Sequence, residues 1–317
     1  MPDNQKFDIL GLGAVAVDDL LYVDEYPPAE SKVRVCRRQR QCGGLTGTAL
    51  VAAARLGARC AYGGRLGNDE LSQFVIERMG REGVDLSVRA VRPDARPAHS
   101  TIIVDQRNKT RTIFAYLESD LGPDPHEPAA EVIRAARVLL LDHHGLEGSI
   151  RAARIARESG IPVVADVERD PGGPFNELLA LIDHLVISER FARQLTGADN
   201  PRDATARLLC GDRRVAVVTC GAAGSWHAEK DILELPRHCP ALAVEVADTT
   251  GCGDVFHGAY CAALAEGRTL AERVIFATAA AALKAAQPGG QAGCPTRRAV
   301  EEFLAARPEG VLRPDCS

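Results

Sequence analysis

The segment with the clearest chemical potential is Asp248-Thr-Thr-Gly-Cys-Gly-Asp254, which precedes an apolar, helix-periodic stretch. A glycine-containing turn at a helix start leaves the backbone N–H groups of Gly251, Cys252 and Gly253 without helical partners. The helix dipole adds partial positive charge at the same place. We call these three N–H groups the anion hole, because such a turn accepts a phosphate or a similar anion.

Asp254 falls in the first turn of this predicted helix, where the dipole favours its ionised form. A base beside an anion hole suits phosphoryl transfer to an alcohol. One group takes the hydroxyl proton while several donors hold the charge on the phosphoryl group. The simpler alternative is an aspartate that merely stabilises the helix. That alternative leaves the rest of the motif unexplained.

Composition excludes several classes of protein. The 317 residues include 38 basic and 43 acidic side chains, so no broad basic surface is available for nucleic acid or an anionic membrane. The N-terminus lacks a secretory pattern, and no apolar run reaches the roughly 20 residues that span a bilayer. The ten cysteines contain no Cys-x-x-Cys pair. We therefore expect a cytoplasmic protein with reduced thiols and no zinc site.

Short apolar runs alternate with longer amphipathic stretches, which predicts a mostly parallel sheet covered by helices on both sides. The predicted strands are Phe7–Leu12, Val138–Asp142, Pro162–Ala165, His184–Ser188 and Val215–Cys220. The predicted helices are Thr48–Leu56, Leu71–Glu82, Gly148–Ser159, Glu189–Leu195 and Asp203–Leu209. A short strand is expected at Ala243–Val246, and helices from about Gly251 to Leu304.

Two regions depart from this alternation of strands and helices. Ser31–Arg40 alternates by twos, and the β-branched runs Thr101–Val104 and Thr110–Tyr116 flank a polar turn, as in a hairpin. We expect both regions to form one small antiparallel sheet that projects from the main domain. This sheet is either surface decoration or a lid over a ligand.

The Asp248–Asp254 motif, with Phe256 and Gly258, resembles the C-terminal signature of ribokinase-like (PfkB) carbohydrate kinases. The likeness extends over essentially the whole chain. The further matching segments are Gly13 to Asp18, Gly43-Gly44 with Ala52–Gly57, Gly64–Asp69, Thr219-Cys-Gly221 with Gly224, and Pro288–Gln291.

The resemblance implies a Rossmann-like, doubly wound, mostly parallel α/β sheet with a small antiparallel β-sheet lid. It implies one kinase domain over residues 1–317, with lid segments at about 14–41 and 98–118. ATP with Mg²⁺ would be the donor and a sugar hydroxymethyl group the acceptor. Asp254 would be the base beside the anion hole.

The resemblance also assigns the binding residues. Asp18, Gly43 and Gly44 would contact the sugar, and Thr48 replaces an asparagine that binds sugar in many members. Thr219, Gly221, Gly224, Gly289 and Gly290 would contact the nucleotide. Asp248 and Thr250 match positions that help bind a monovalent cation such as K⁺, together with the carbonyl of Gly289. A serine common in that later loop is replaced here by Gly293.

Two further positions depart from the family pattern. Ser188-Glu-Arg-Phe191 replaces the Asn-x-x-Glu that lies near Mg²⁺ and the phosphates. Cys252 replaces a common alanine, and a thiol at a helix N-terminus is expected to be unusually acidic.

The sequence is compatible with several acceptor substrates. A neutral ketose or pentose fits the residues best, with His143-His144 either donating hydrogen bonds to it or capping a strand end. The likeness to bacterial sulfofructose kinases, including Lys32 on the predicted lid strand, keeps a sulfonated sugar in view. The basic face of the predicted lid has two further interpretations. It either contacts a phosphate that the sugar already carries or is solvated charge without a ligand.

Other functions are alternatives. A nucleoside kinase and a catalytically weak sugar- or nucleotide-sensing relative share the fold. Gly11-Leu-Gly13 also begins a dinucleotide fingerprint, which requires a helix directly after it. No P-loop motif is present. We expect a homodimer that pairs through the apolar face of the lid.

Overall fold

The computed structural model describes residues 5–108, 110–116, 120–230, 232 and 235–307. Its strands are β1 (Phe7–Leu12), β2 (Ala16–Val23), β3 (Arg37–Gly43), β4 (Cys60–Tyr62), β5 (Arg65–Leu66), β6 (Ala90–Val91), β7 (Ala98–Asp105), β8 (Thr110–Tyr116), β9 (Ala136–Asp142), β10 (Val163–Asp166), β11 (His184–Ser188), β12 (Val215–Thr219), β13 (Ser225–Glu229) and β14 (Arg237–Cys239).

Its helices are α1 (Leu45–Arg55), α2 (Glu70–Arg81), α3 (Ala130–Arg134), α4 (Leu146–Glu158), α5 (Phe175–Leu181), α6 (Glu189–Thr196), α7 (Pro201–Leu208), α8 (Cys252–Ala265), α9 (Leu270–Ala285) and α10 (Arg297–Ala305). A 3₁₀ turn covers Gly221–Ala223.

The main sheet has the strand order β14-β13-β12-β11-β10-β9-β1-β4. The pairs from β4 to β12 are parallel, and β13 and β14 join antiparallel at one edge. The apolar strands are buried on both faces: α1, α8 and α9 pack on one face, and α4 to α7 pack on the other. The predicted doubly wound, mostly parallel sheet is confirmed.

A second, four-stranded sheet has the order β3-β2-β7-β8, and we call it the lid. It combines the two sequence regions that were expected to meet. Its outer pairings, β2 with β3 and β7 with β8, are antiparallel, whereas the central strands β2 and β7 run parallel. The chain enters this sheet only three residues after β1 ends. Because a strand and no helix follows Gly11-Leu-Gly13, the dinucleotide fingerprint lacks the helix that it requires.

Two predicted strands are corrected. The lid strand β3 begins at Arg37, so Ser31–Cys36 is irregular, and Val33 and Val35 are 44% and 41% exposed. The segment Ala243–Val246 forms no strand, because the chain beyond it bonds elsewhere: the N–H groups of Ala247 and Asp248 both donate to the Ala285 carbonyl at the end of α9.

The carboxyl ends of the parallel strands lie at one edge of the main sheet, where ligands bind in open α/β folds. This edge carries Gly13, Asp142, Asp166 and Ser188, which end or follow β1, β9, β10 and β11. The register pairs Asp166 of β10 with Asp142 of β9. Polar side chains from distant parts of the sequence are thereby brought together.

Candidate active site

The turn before α8 has the expected geometry. Gly251 adopts a φ of 77°, a left-handed conformation that favours glycine, and its carbonyl accepts the Val255 N–H at 2.9 Å. The N–H of Cys252 donates to the Thr249 carbonyl at 3.2 Å, so one of the three expected free amides is already engaged. Gly251 and Gly253 have no acceptor for their N–H groups within the described residues. These two amides therefore form the open part of the anion hole.

Asp254 lies in the first turn of α8, and its side chain borders a cleft of about 410 Å³ at the edge of the main sheet. A cleft of this size holds a small molecule. The cleft is lined by Ala14, Gly44, Leu45, Ala98, Leu121, His143, His144, Glu168, Arg169, Arg190 and Asp254. Ala98 begins lid strand β7, so the cleft lies between the base of the lid and the strand ends.

The ionisation of Asp254 is opposite to the expectation. Burial raises its pKa well above the usual value, and the carboxylates of Asp166, Glu168 and Asp142 raise it further. Desolvation and like charges outweigh the helix dipole here. A carboxylate with a raised pKa is a stronger proton acceptor once ionised, which is the property required of a general base.

Asp142 organises the wall of the cleft. Its carboxylate accepts the Ala14 N–H at 2.6 Å, the Thr46 hydroxyl at 2.9 Å and the His144 N–H at 2.8 Å. Burial opposes its ionisation, but hydrogen bonds, those of His144 first, hold its pKa below the usual value. A Cβ at Gly13 would lie 2.2 Å from Asp142 Oδ2, so this strand end requires glycine.

The two histidines of the cleft differ in their freedom to bind. His144 Nδ1 lies 3.1 Å from Asp142 Oδ1, so this ring is held in place by the wall. His143 is buried, and its Nδ1 has no partner among the described residues. Burial lowers the pKa of His143 to about 4, so the ring is neutral at neutral pH. His143, more than His144, offers a ligand an unfilled hydrogen-bonding atom.

Of Asp18, Gly43 and Gly44, which were assigned to the sugar, Gly44 lines the cleft, and Asp18 and Gly43 lie on the lid strands β2 and β3. Asp18 on β2 is half-buried, and burial raises its pKa against a hydrogen bond from Ser100. A Cβ at Gly43 would lie 2.9 Å from Asp18 Oδ2, so glycine keeps that carboxylate accessible. Gly44 has a φ of 87° and borders the cleft directly.

Lys32 and Thr48, which were also assigned to the sugar, do not line the cleft. Lys32 is exposed in the irregular segment before β3 and is not among the residues that line the cleft. Thr48 is buried in α1, and its methyl group packs beneath the anion-hole turn, 3.4 Å from where a Cβ on Gly251 would be. Thr48 therefore supports the turn from below.

The residues assigned to the nucleotide fall into two groups. Thr219 ends β12, next to Ser188 of β11, and Gly221 and Gly224 follow in a tight turn with positive φ angles. A Cβ at Gly224 would lie 2.1 Å from the Cys239 carbonyl. Gly289 and Gly290 belong to the other group: a Cβ on Gly251 would be 3.5 Å from Gly290 Cα, so this loop touches the anion-hole turn.

Asp248 joins the anion-hole turn to the later loop. Its carboxylate accepts the N–H groups of Thr250 and Gly289, each at 2.9 Å. Burial opposes ionisation of Asp248, but these hydrogen bonds hold its pKa below the usual value. Arg111 of lid strand β8 contacts the Thr250 hydroxyl and lies 3.7 Å from Asp248 Oδ1. The lid and the anion-hole turn are thereby in direct contact.

The Cys252 thiol does not have the acidity that was expected of it. Burial raises its pKa, and Asp248 and Asp254 add to the rise, while Lys284 opposes it. The expectation from the helix N-terminus is therefore wrong, for the same reason as at Asp254.

The departure at 188–191 has a structural explanation. Ser188 caps α6 by accepting the Phe191 N–H at 3.4 Å, and Phe191 is buried against Phe175. Phe191, which replaces the glutamate of the family pattern, has no side-chain atom that could bind a metal. Glu168 is an exposed carboxylate at the cleft, and Asp166 lies just before it on β10. Because Mg²⁺ binds through one or two carboxylates plus substrate phosphates, these two residues fit a Mg²⁺ site.

Several of these residues escaped the sequence analysis. Asp166 ends strand β10, Glu168 and Arg169 follow it, and Arg190 follows β11, so the position at or after the end of a buried parallel strand was the signal that could have found them. No sequence signal indicated His257. Its Nδ1 lies 2.8 Å from the Gly253 carbonyl and 3.2 Å from Asp166 Oδ2, so it joins the first turn of α8 to the end of β10.

Comparison with known proteins adds three findings. A model of the pfkB family of carbohydrate kinases matches residues 7–297. The ribokinase of Haemophilus influenzae is 27% identical over 310 residues, which cover 92% of this chain and 97% of that protein. The solved structure of Arabidopsis thaliana ribokinase complexed with ribose and ATP has a TM-score of 0.83 at 26% identity and covers 94% of this chain and 98% of that one.

A nucleoside kinase from Burkholderia thailandensis, solved in complex with inosine, also shares the fold. Its TM-score is 0.73 at 22% identity, over 98% of this chain and 99% of that one.

Proposed function

The chain belongs to the PfkB family of carbohydrate kinases, phosphotransferases that act on an alcohol, and on that premise we propose that it transfers the γ-phosphoryl group of ATP to a primary hydroxyl of a neutral pentose or ketose. The observation that carries this proposal is the placement of Asp254, whose carboxyl borders the cleft within one turn of the open amides of Gly251 and Gly253. The whole chain would act as one kinase domain that includes the lid.

The proposed step uses these residues in fixed roles. Ionised Asp254 takes the proton from the sugar hydroxyl as its oxygen forms a bond to the γ-phosphorus. The bond between that phosphorus and the leaving oxygen breaks, and ADP departs with the electron pair. The open amides hold the charge on the phosphoryl group during transfer. Glu168 and Asp166 would hold Mg²⁺ together with the ATP phosphates, and the ion would supply positive charge to the phosphoryl group.

The polar groups of the cleft support a neutral sugar. The unfilled Nδ1 of His143, which lines the cleft, and the carboxylate of Asp18 on lid strand β2 would exchange hydrogen bonds with sugar hydroxyl groups. A sulfonate needs several convergent cationic donors. Lys32, the residue that suggested sulfofructose, is exposed and does not line the cleft, whereas Arg169 and Arg190 do, so we propose a neutral sugar and keep sulfofructose as a comparison acceptor. Ribose and fructose are the substrates to test first.

The decisive experiment measures ADP release with ATP and Mg²⁺ against ribose, fructose, sulfofructose and a set of nucleosides. Turnover with a pentose or ketose that depends on Asp254 supports the proposal. Turnover with nucleosides alone would assign a nucleoside kinase. Ligand-induced melting shifts without turnover on any acceptor would identify a sensing protein and reject the kinase mechanism.

We further propose that the lid pairs with a second copy to form a homodimer. Edge strand β8 exposes Ile113 and Phe114, each about half accessible to solvent, and an open edge strand of this kind tends to pair. A dimeric mass in light scattering, converted to a monomeric one by Phe114→Asp with unchanged secondary structure, is the expected result. A monomeric mass for the wild type contradicts it.

A cytoplasmic location is also proposed. The nine cysteines in the described residues are free thiols, as expected in a reducing compartment. In that same part of the chain, no helix is both long and apolar enough to cross a membrane.

A further inference from the structure

Lys284 near the end of α9 is fully buried, which is rare for a lysine. Its ammonium group donates to the Asp248 carbonyl at 3.0 Å and to the Gln287 carbonyl at 3.1 Å. A buried charge is costly unless polar partners compensate it. Two backbone carbonyl oxygens thus compensate the buried ammonium group of Lys284, and this arrangement indicates a role beyond core packing.

The two carbonyls belong to the two loops that meet at the active site. Asp248 begins the turn that leads to the anion hole, and Gln287 precedes the loop with Gly289 and Gly290. The same loops are also joined by the hydrogen bond from the Gly289 N–H to the Asp248 carboxylate. Lys284 is therefore a second link between them, and it carries a full positive charge.

This position is where the family resemblance predicted a monovalent cation. Asp248, Thr250 and Gly289 were the expected ligands, and Gly293 stood in place of a common serine. A Cβ at Gly293 would lie 2.9 Å from Lys284 Cδ and 3.0 Å from its Cε, as well as 2.9 Å from the Gly289 carbonyl. The loss of the serine side chain thus makes room for the lysine stem. The residues present do not fit an added K⁺ ion.

The charge of Lys284 acts on the residues around the anion hole. Burial raises the pKa of the Asp248 carboxyl, and Lys284 helps the hydrogen bonds from Thr250 and Gly289 to lower it. Lys284 also opposes the rise in the pKa of the Cys252 thiol that burial causes. The field of this lysine therefore reaches the first residue of α8, as the field of a bound cation would.

We propose that Lys284 is a built-in replacement for the monovalent cation, so that the protein binds no K⁺ at this position and needs none to hold its anion-hole turn. Lys284 is a positioning residue, because it acts through the two loops. The proposal extends the proposed function, but the binding part of its test does not depend on activity.

The first experiment compares the wild-type protein in potassium chloride and in tetramethylammonium chloride at equal ionic strength. The thermal unfolding midpoint should be the same in both salts, because an ion bound to the native state would raise it. ADP release should differ by less than about twofold, whereas a coupled effector typically changes affinity about 5–150-fold. A saturable rise in the midpoint with K⁺, or activation well above twofold, overturns the proposal.

The second experiment uses a matched pair of variants. Lys284→Ala removes the charge and opens a space lined by two carbonyl oxygens, whereas Lys284→Met removes the charge and fills that space. Both should lose at least about tenfold in kcat, the order expected when the support of a transition-state donor is lost. Potassium or ammonium ions should restore kcat and raise the unfolding midpoint of Lys284→Ala, and leave Lys284→Met unchanged.

Lys230→Ala is the control, since Lys230 also donates to a backbone carbonyl, that of Gly211, but is exposed. This variant should respond to no ion. Full activity of Lys284→Ala without K⁺ contradicts the proposal, as does equal rescue of both variants. If neither variant folds, the wild-type salt comparison still decides. If no acceptor is phosphorylated, the proposed function fails while the unfolding midpoints still test Lys284.

Discussion

Asp166 lies directly opposite Asp142 in the register of β10 and β9, and both carboxylates raise the pKa of Asp254. Only Asp142 is held by hydrogen bonds that favour its ionised form. Burial raises the pKa of Asp166 to about 6, although His257 opposes this rise. The site therefore places buried carboxylates close to the open amides of Gly251 and Gly253, which would bind a negatively charged phosphoryl group.

Asp254→Asn should lower kcat by about 10²–10⁴-fold, the usual contribution of a general base. The amide keeps the shape of the side chain but cannot take a proton. Asp203→Asn is the matched control, because Asp203 also lies in the first turn of a helix, α7, but is exposed. Steady-state ADP release measures both. Undiminished turnover of a folded Asp254→Asn protein would refute the mechanism.

The same substitution should stabilise the protein at neutral pH. The pKa of Asp254 is higher in the folded protein than in the unfolded chain, so the folded state loses stability as pH rises through the folded-state pKa. The asparagine variant lacks this loss. Its unfolding free energy should therefore exceed that of the wild type at neutral pH.

This advantage should shrink as pH falls through the folded-state pKa and disappear below about 3, where the carboxyl is protonated in both states. Urea denaturation at several pH values gives the comparison. A constant difference across pH would show that Asp254 is not destabilised by its surroundings.

Gly253→Ala tests the anion hole separately from stability. A Cβ at this position meets nothing within 4 Å, so the variant should fold normally, and alanine favours the helix by up to about 1 kcal/mol. The open space is where we expect the phosphoryl group, so activity should fall about tenfold or more. Gly80→Ala, which also has nothing within 4 Å, should keep full activity. Equal activity of both variants would place the phosphoryl group elsewhere.

The ion pair between Asp19 and Arg40 should stabilise the lid. Arg40 Nε lies 2.8 Å from Asp19 Oδ1, and this hydrogen bond, the largest cause, lowers the pKa of Asp19 to about 2. Asp19→Asn should cost about 1–3 kcal/mol at neutral pH. Because the folded pKa is depressed, the wild-type advantage should disappear as pH falls from about 4 to 2.

Glu25→Gln provides the comparison for Asp19 within the lid. Glu25 pairs with Arg107 in solvent, so its loss should cost no more than about 1 kcal/mol. Denaturation of both variants, followed by a lid signal such as the fluorescence of a nearby label, measures the difference. Equal costs would mean that the Asp19 pair adds nothing specific.

The sequence predicted the structure best where the hydrophobic periodicity and the types of the residues indicate the same element. The buried parallel strands are apolar and short, and the glycine turn before Asp254 was recognised with its function. The sequence was misleading where a local pattern depends on a distant partner. Val33 and Val35 alternate like a strand, but no neighbouring strand lies beside them, so they stay exposed.

Charges in the site were the hardest part to predict. The rules for helix ends concern an isolated helix, and they favoured an ionised Asp254 and an acidic Cys252 thiol. The register of β9 and β10 places other carboxylates nearby, and that register cannot be derived from the spacing along the chain. Lys284 is the one lysine within the alanine-rich run 277–286, but its burial is a finding of the structure and was not predicted from the sequence.

The parallel pairing of β2 with β7 has a consequence for how the protein assembles. The two central lid strands come from distant stretches of the chain, and β2 continues from β1 after three residues. This small sheet depends on long-range closure, which makes it slow to form, and it cannot be excised as an autonomous module. During synthesis the lid sheet should therefore form only after the chain has passed through β8, well after the first strand has emerged from the ribosome.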